Sequence, residues 1–386
     1  MTKEPSKFNL FTNDYQPKKI EASKDGYLML EDLVVASYLD GNFSIIDASL
    51  CPFYILRTND FQDWVSSRSI DTHRTNSRIL RKSIRLKSSD EFNIVMNNYC
   101  VTITDRYWFK PFKSNLCYKD VKFNSDKLSL IALDGKFVDM STLNISSPEF
   151  TNTGSFEKCW KLINNEWFLV KKANPFERFS ELLIYRLGNH LKLDMAEYLL
   201  LDGRDDVIMS KDFTNGGNVT LEPMWSLIDD NDSYVDNIQL IKNIDKAIIN
   251  CDIKDLINQY LDIIFMDTIC MNIDRHTKNY GFIRNNKTGN ILRLAPNFDN
   301  NLALISRGIN TEIKYSPRSL LYEFREVMID NSYNIPNLDR EELSNIVNQC
   351  AYDCKLIDDS VTTYVTDFIW TNYCLIRSEL ICHLKR

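Results

Sequence analysis

The chain has 386 residues and a formal net charge of −7, with 44% hydrophobic and 26% charged residues. This is the balance of a folded globular protein, and the length predicts about two or three domains. The acidic balance argues against nucleic-acid binding as the main activity. Neither a membrane span nor a signal peptide is predicted, because the sequence lacks a long apolar run and its first residues are polar.

Cysteine and histidine usage argues against a zinc site. The ten cysteines form no Cys-x-x-Cys pair, and the chain has only four histidines. We therefore expect reduced, mostly buried thiols in a cytoplasmic protein. Cys350 and Cys354 are spaced as neighbours on one helix.

Residues 1–145 are predicted to form a mixed α/β region. The stretch Asp60–Leu86 is predicted to be mainly helical, and strands are predicted at Cys100–Thr104 and Tyr107–Phe109. Basic residues recur along the predicted helix and would form one stripe, made of Arg74, Arg78, Arg81 and Arg85 with Lys82 and Lys87. Such a stripe is typical of an RNA or phosphate contact. A solvated helix face, or a contact with the acidic remainder of the chain, is the simpler interpretation.

Residues 146–213 are predicted to form a small β-rich lobe carrying one helix. Its predicted elements are two strands, a helix and two strands, at Trp160–Ile163, Trp167–Lys171, Pro175–Leu191, Tyr198–Leu201 and Val207–Met209. Asn174 is a good cap for the helix, and proline suits its first turn.

Residues 214–386 are predicted to be mostly helical, apart from one hairpin formed by Tyr280–Arg284 and Ile291–Leu294. An apolar helix, Leu261–Met271, leads into the polar stretch Asp274–Asn279. A small β lobe joined to a helical lobe that carries a polar loop is the plan of a bilobal kinase. We therefore predict an α+β, bilobal protein-kinase-like fold with an additional N-terminal region.

The spacing of Asp274, Asn279 and Asp299 is the most specific signal in the sequence. Protein kinases use a base Asp, an Asn five residues later that binds metal, and a later Asp that also binds metal. Asp274 could accept the proton of a substrate hydroxyl, and oxygens of Asn279 and Asp299 suit Mg²⁺. Taken singly, Asp274 and Asn279 could equally cap loop ends. The predicted hairpin, which would fold Asp299 back onto the loop, favours the catalytic interpretation.

Two further residues of this loop are candidates. His276 could orient a phosphate or the catalytic Asp, and a structural histidine is the alternative. Lys278 could stabilise transferred charge, and a solvated lysine is the alternative.

A lysine at the end of a strand is a candidate for clamping nucleotide phosphates. Lys171 ends an apolar strand, and either Glu181 or Glu177 on the following helix could orient it. Lys172 remains an alternative to Lys171, because a shift of one residue in strand register exchanges the two side chains.

The turn ahead of this strand, and the end of the last strand of the lobe, are candidate nucleotide contacts. Backbone amides at Gly154 and Ser155 could cover phosphates, and Lys158 could add charge, although a plain turn explains the same residues. The main chain from Lys211 to Phe213 could contact an adenine base.

The motif Asp274-x-His276-x-Lys278-Asn279, followed by Leu294-Ala295-Pro296-Asn297-Phe298-Asp299, resembles the HipA-like serine/threonine kinases. These are bacterial kinases, many of them toxins of toxin–antitoxin pairs, and the resemblance is best over residues 151–304. It implies an ATP- and Mg²⁺-dependent kinase that transfers the γ-phosphate to a protein hydroxyl. It implies that Asp274 is the catalytic base and that Asn279 and Asp299 bind Mg²⁺. It also implies that Lys171 binds ATP. The resemblance also implies a phosphate loop at Gly154–Lys158 and an adenine hinge at Lys211–Phe213.

The resemblance carries expectations about regulation and partners. A loop serine is autophosphorylated in some members, and Thr151 lies at the corresponding position. An antitoxin is an implied partner. The implied substrate is a protein, such as a translation factor or tRNA synthetase, since the founding member targets a glutamyl-tRNA synthetase. Residues 1–145 and Phe156 depart from the family pattern, and a catalytically silent regulator or an RNA- or partner-binding protein is the alternative function.

Overall fold

The computed structural model describes residues 25–83, 90–136, 146–228, 233–306, 317–356 and 358–384. These residues form three antiparallel sheets and a helical lobe. The architecture is therefore α+β, as the sequence predicts.

The N-terminal region contains a four-stranded antiparallel sheet of order β3-β2-β1-β4. Its strands are β1 (Gly26–Leu30), β2 (Leu33–Leu39), β3 (Asn42–Ile45) and β4 (Tyr107–Pro111). In the part of this region that the structure describes, six short helices accompany the sheet: α1 (Phe53–Thr58), α2 (Phe61–Ser67), α3 (Ser77–Ser83), α4 (Glu91–Asn97), α5 (Tyr118–Val121) and α6 (Ser129–Asp134). The strand at Tyr107–Phe109 is confirmed, whereas the strand at Cys100–Thr104 is wrong. Tyr99 and Cys100 both adopt positive φ angles, of 53° and 60°, which turn the chain out of a pleated conformation.

The prediction of a mainly helical Asp60–Leu86 is correct only in part. The helix breaks after Ser67, where Arg68 turns to pair with Asp105 at 2.9 Å, and helical structure resumes at Ser77. Arg74 lies in the break and is 1% exposed, so the prediction of one basic helical stripe is wrong. Arg78 is exposed on α3, and Arg85 and Lys87 lie outside the described residues.

The small lobe follows the predicted order of elements. Its sheet has the order β5-β6-β8-β7, formed by β5 (Lys158–Ile163), β6 (Glu166–Lys172), β7 (Tyr198–Leu199) and β8 (Val207–Lys211). Helix α7 (Pro175–His190) lies between β6 and β7 in the chain. The side chain of Asn174 caps α7, as predicted.

A third sheet, of order β11-β10-β9, supports the polar loop. It consists of β9 (Val219–Pro223), β10 (Gly281–Asn285) and β11 (Ile291–Leu294). The predicted hairpin is confirmed as β10 and β11. The third strand, β9, was not predicted.

Among the described residues of the large lobe, five α-helices are present: α8 (Tyr234–Asn243), α9 (Ile253–Cys270), α10 (Pro317–Asp330), α11 (Arg340–Asp353) and α12 (Asp359–Leu384). Their buried side chains share one core with α7. The predicted helix Leu261–Met271 is the second half of α9. None of the helices in the described segments is long and apolar enough to cross a membrane. Cys350 and Cys354 are buried free thiols, as predicted, and burial raises the pKa of Cys350 to about 12.

The N-terminal region and the small lobe share a hydrophobic core. Ile70, Leu80 and Ile131 from the former pack in one cluster with Phe168 and Val170 from the latter. The domain boundaries at 145/146 and 213/214 stay predictions, because packing is continuous across the first of them. The shared core fixes the N-terminal region against the strands that carry the candidate lysines.

Candidate active site

Lys171, Glu181 and Asp299 form a compact ion-paired cluster. The Lys171 ammonium lies 2.5 Å from Asp299 Oδ1 and 3.5 Å from Glu181 Oε1. Burial opposes its charge, but Asp299, Tyr198 and Glu181 together raise the pKa of Lys171 above its ordinary value. The Asp299 side chain is 28% exposed, so a ligand can reach this carboxylate.

The strand register shows which of the two lysines, Lys171 or Lys172, faces the candidate site. Lys172 points to the opposite face of β6, where its ammonium lies 3.6 Å from Asp134. Lys171 alone of the two contacts Asp299. Glu177 is occupied at the start of α7, where its carboxylate accepts the backbone N–H of Asn174 at 2.8 Å in a capping box. Glu181 is therefore the carboxylate on α7 that faces Lys171.

A second lysine lies directly across from Lys171. Lys158 and Lys171 are cross-strand partners on β5 and β6, and Lys158 Nζ lies against Gly154. Like charges in such a pair repel each other. Burial, together with the charge of Lys171, lowers the pKa of Lys158 to about 7. We call this pair of lysines the cationic site.

Asp299 is held in position by its backbone. It adopts a positive φ of 61°, and its N–H donates to the Tyr198 hydroxyl at 3.0 Å. The next backbone N–H, that of Asn300, donates to Glu181 Oε2 at 3.0 Å. Burial opposes ionisation, but the charges of Lys171 and Lys158 hold the pKa of Asp299 below its ordinary value.

Asp274 and Asn279 lie on one closed turn after α9. Asn279 Nδ2 donates to the Asp274 carbonyl at 3.0 Å, and the His276 N–H donates to the same carbonyl at 3.0 Å. The Asp274 N–H donates to Asn272 Oδ1 at 3.3 Å. The first of these bonds identifies the nitrogen end of the Asn279 amide, so the oxygen end is the acceptor available to a cation.

Arg275, which was not among the predicted site residues, ties this turn to the rest of the site. Its side chain is 2% exposed, and it binds Asp267 on α9 with two contacts of 2.8 Å. Nη1 donates at 2.7 Å to the carbonyls of Asn279 and Phe298. One guanidinium therefore joins the turn of Asp274 and Asn279 to the segment that precedes Asp299.

Two asparagines complete the network around Arg275. Nη2 lies 2.9 Å from Asn297 Oδ1 and 2.8 Å from Asn300 Oδ1. A signal for this network was present in the sequence, since Asp267 is a lone charge in the apolar run Ile263–Cys270. A buried carboxylate in such a run requires a cationic partner.

The two other candidates of the loop lie toward its outer side. Lys278 is exposed, and its ammonium lies 5.5 Å from the centre of the Trp225 ring. His276 is partly exposed, and its Nδ1 accepts the backbone N–H of Lys278 at 3.2 Å. His276 therefore shapes the turn, and the Lys278 ammonium faces an aromatic ring.

The remaining candidates are Ser155, Lys211, Phe213 and Thr151. Ser155 is exposed, in the loop that is predicted to cover phosphates. The Lys211 ammonium pairs with Glu166 at 2.7 Å, and the Lys211 N–H donates to the Glu197 carbonyl at 3.0 Å. The ring centres of Phe213 and Phe298 lie 5.5 Å apart. Thr151 is buried, and its hydroxyl donates to the Val101 carbonyl at 2.7 Å, so phosphorylation there would require this segment to unpack.

A divalent cation would find few protein ligands here. Within the described segments, no group of three or more His, Cys, Asp or Glu side chains is arranged to hold a metal. Mg²⁺ commonly takes one or two protein oxygens and completes its shell with phosphates and water. The Asp299 carboxylate and the Asn279 amide oxygen fit that donor set.

A lysine–glutamate pair joins the small sheet to its helix, and this small lobe stands on a helical lobe that carries a polar turn. This arrangement defines a bilobal protein-kinase-like fold. Residues 143–355 match the family described as the HipA-like C-terminal domain. The chain therefore belongs to this family. Among curated protein sequences, none matches it significantly.

Solved structures similar to this chain include a HipA protein and the kinase CtkA. HipA of Shewanella oneidensis MR-1, from the toxin–antitoxin complex with HipB and operator DNA, has 14% sequence identity and a TM-score of 0.55. The match covers 92% of this chain and 97% of that one. The Helicobacter pylori proinflammatory kinase CtkA has 17% identity and a TM-score of 0.46, over 60% of this chain and 92% of its own. The first similarity confirms the predicted HipA-like fold.

Proposed function

We propose that this protein is an ATP- and Mg²⁺-dependent serine/threonine protein kinase. The observation that carries the proposal is the position of Arg275, whose Nη1 donates to the carbonyls of Asn279 and Phe298. The acid and amide of one turn are thereby held in a fixed relation to Asp299. Phosphoryl transfer depends mainly on such positioning and on charge stabilisation.

The cationic site suits a triphosphate. Lys171 and Lys158 lie side by side, and the Lys171 ammonium is paired with Asp299 and Glu181. When a nucleotide binds, Lys171 contacts its phosphates and Glu181 keeps the ammonium in place. Amides of the phosphate loop, Gly154–Lys158, cover the same phosphates.

Asn279 and Asp299 would hold Mg²⁺ in this proposal. The bound ion would neutralise negative charge on the phosphates during transfer. The low pKa of Asp299 keeps its carboxylate ionised and ready to bind a cation. Lys171 then exchanges its contact with Asp299 for one with phosphate.

Asp274 has the role of base. Its carboxylate orients the substrate hydroxyl and accepts its proton as the hydroxyl oxygen bonds to the γ-phosphorus. The bond between that phosphorus and the β–γ bridging oxygen breaks, and ADP leaves. The products are ADP and a phosphorylated serine or threonine, and autophosphorylation at Thr151 is a further expectation.

The family and its solved member suggest the partners. HipA of Shewanella oneidensis was solved with HipB and operator DNA. We propose a HipB-like antitoxin for this chain, which co-expression with the adjoining reading frame would recover as a stoichiometric complex. The proposed substrate is a cytoplasmic protein of translation, such as a tRNA synthetase.

Radiolabelled ATP with Mg²⁺ tests the proposal directly. Wild type, Asp274→Ala and the exposed control Asp330→Ala are incubated alone and with cell lysate. We expect label on the protein or on a lysate band with wild type and control, and none with Asp274→Ala. Turnover retained by a folded Asp274→Ala would sink the assignment. ATP binding without any label would indicate a silent kinase fold, unless intact mass reveals a phosphate already in place.

A further inference from the structure

The segment leading into the phosphate loop is attached to the N-terminal region. Asn98 Nδ2 donates to the Ser147 carbonyl, and the Ser147 N–H donates to Asn98 Oδ1, each at 3.0 Å. The Ile70 N–H donates to the Phe150 carbonyl at 3.0 Å. These contacts, with that of Thr151, hold residues 147–151 on a surface formed by residues before position 102.

Arg74 and Glu149 extend this attachment into the loop. Both side chains are fully buried and lie 3.8 Å apart. Arg74 Nη1 donates to the Asn152 carbonyl at 3.3 Å. Glu149 accepts the Trp160 N–H at 2.8 Å through Oε1 and Asn152 Nδ2 at 3.3 Å through Oε2. The pair therefore fixes Asn152 before the phosphate loop and Trp160 after it.

Stability alone is a weak reason for such a pair. A buried ion pair commonly contributes less than well-packed apolar side chains, because both ions lose their hydration. Here the pairing is also incomplete, since Arg74 Nε and Nη2 have no hydrogen-bond partner among the residues that the structure describes. What the pair does provide is one defined arrangement of both ends of an otherwise exposed loop.

We propose that Arg74 and Glu149 are positioning residues that hold the phosphate loop in its nucleotide-binding conformation. The N-terminal region then acts as the platform of the nucleotide site. This inference rests on the proposed kinase function for its ligand, although the clamp itself is a property of the free protein. A loop ordered before binding loses less conformational entropy when it closes on phosphates, and so it binds them more tightly.

The first measurement is amide hydrogen exchange of residues 152–158 in nucleotide-free protein. Arg74→Met removes the clamp, and Arg78→Met removes the same charge from an exposed position on α3. We expect faster exchange in the loop for Arg74→Met alone, with unchanged exchange in α9 of both variants. If Arg74→Met does not fold, Glu149→Gln supplies the test, because it keeps the shape of the side chain and removes its charge. Unchanged loop exchange in a folded variant overturns the proposal.

The second measurement is the affinity for a non-hydrolysable ATP analogue with Mg²⁺, together with kinase kinetics. We expect Arg74→Met to raise Kd and KM by about tenfold with kcat nearly unchanged, and Arg74→Lys to recover part of the loss. A purely structural role would instead lower kcat and the folded fraction together, and that result overturns the proposal. If wild type binds no nucleotide, the proposed function fails, and hydrogen exchange alone decides the clamp.

Discussion

The guanidinium of Arg275 meets the carboxylate of Asp267 in a two-pronged contact, with Nε–Oδ2 and Nη2–Oδ1 distances of 2.8 Å. Asp267 belongs to α9, which is buried through most of its second half. The contact therefore fixes the candidate active site to a buried helix of the large lobe. The proposed kinase activity should depend on this pair, although neither side chain has a proposed role in the chemistry.

Loss of the Arg275–Asp267 pair is predicted to lower both stability and activity. Arg275→Met leaves Asp267 buried without its cation, and we expect the free energy of unfolding to fall by about 3–5 kcal/mol. Arg275→Lys keeps the charge without the planar fork, so we expect kcat to fall at least about tenfold with a smaller loss of stability. Urea denaturation and steady-state kinetics measure the two effects.

Arg293 supplies the control for these variants. It pairs with Asp194 at 2.6 Å on the surface, with its side chain 37% exposed. Arg293→Met should change the unfolding free energy by less than about 1 kcal/mol. Equal losses in Arg275→Met and Arg293→Met would contradict the structural role of Arg275.

Asp299→Asn is predicted to change the Mg²⁺ requirement. The substitution keeps the shape of the side chain and removes the anion that pairs with Lys171 and would bind the metal. We expect the Mg²⁺ concentration for half-maximal activity to rise by at least about tenfold. A Mg²⁺ titration of kinase activity measures this shift, with the exposed Asp202→Asn as the control. An unchanged titration curve would remove Asp299 from the metal site.

Lys158 is predicted to take up a proton when nucleotide binds. Its pKa is about 7 in the free protein, so at pH 8 most molecules carry the neutral amine. A bound triphosphate favours the ammonium, and the uptake should approach about one proton. At pH 6 Lys158 is already charged, and its contribution to proton uptake should fall toward zero.

Calorimetry in buffers of different ionisation enthalpy measures this uptake. The difference in proton uptake between wild type and Lys158→Met gives the contribution of the lysine, because the titration of the nucleotide is common to both proteins. Lys161→Met, on the same strand, is the matched control. The same proton uptake in wild type and Lys158→Met would show that another group is responsible.

Tyr198→Phe is predicted to weaken the site without disrupting the fold. The hydroxyl accepts the Asp299 N–H at 3.0 Å, and its removal leaves that donor without this partner. We expect a loss of about 1 kcal/mol in stability and about a tenfold loss in kcat/KM. Tyr185→Phe, whose ring centre lies 6.4 Å from that of Tyr198, should behave as wild type in kinetics and denaturation. Full activity of Tyr198→Phe would argue against a role in placing Asp299.

The sequence by itself determined the local elements and the candidate residues they carry. Two strand-like segments on either side of Asn164 and Asn165 predicted the hairpin of β5 and β6, and the cap at Asn174 predicted the start of α7. Spacing selected Asp274, Asn279 and Asp299 as candidates for one site. These features depend on residues close in the chain, where backbone periodicity and turn chemistry act.

Only the tertiary structure decided which side chains meet. It placed Lys171 against Glu181, assigned Arg275 to Asp267, and buried Arg74, which the sequence had suggested as part of a surface stripe. Arg74 and Glu149 lie far apart in sequence, so no local period could pair them. Their contact exists because the N-terminal region and the small lobe fold around one shared core, which is a property of the whole chain.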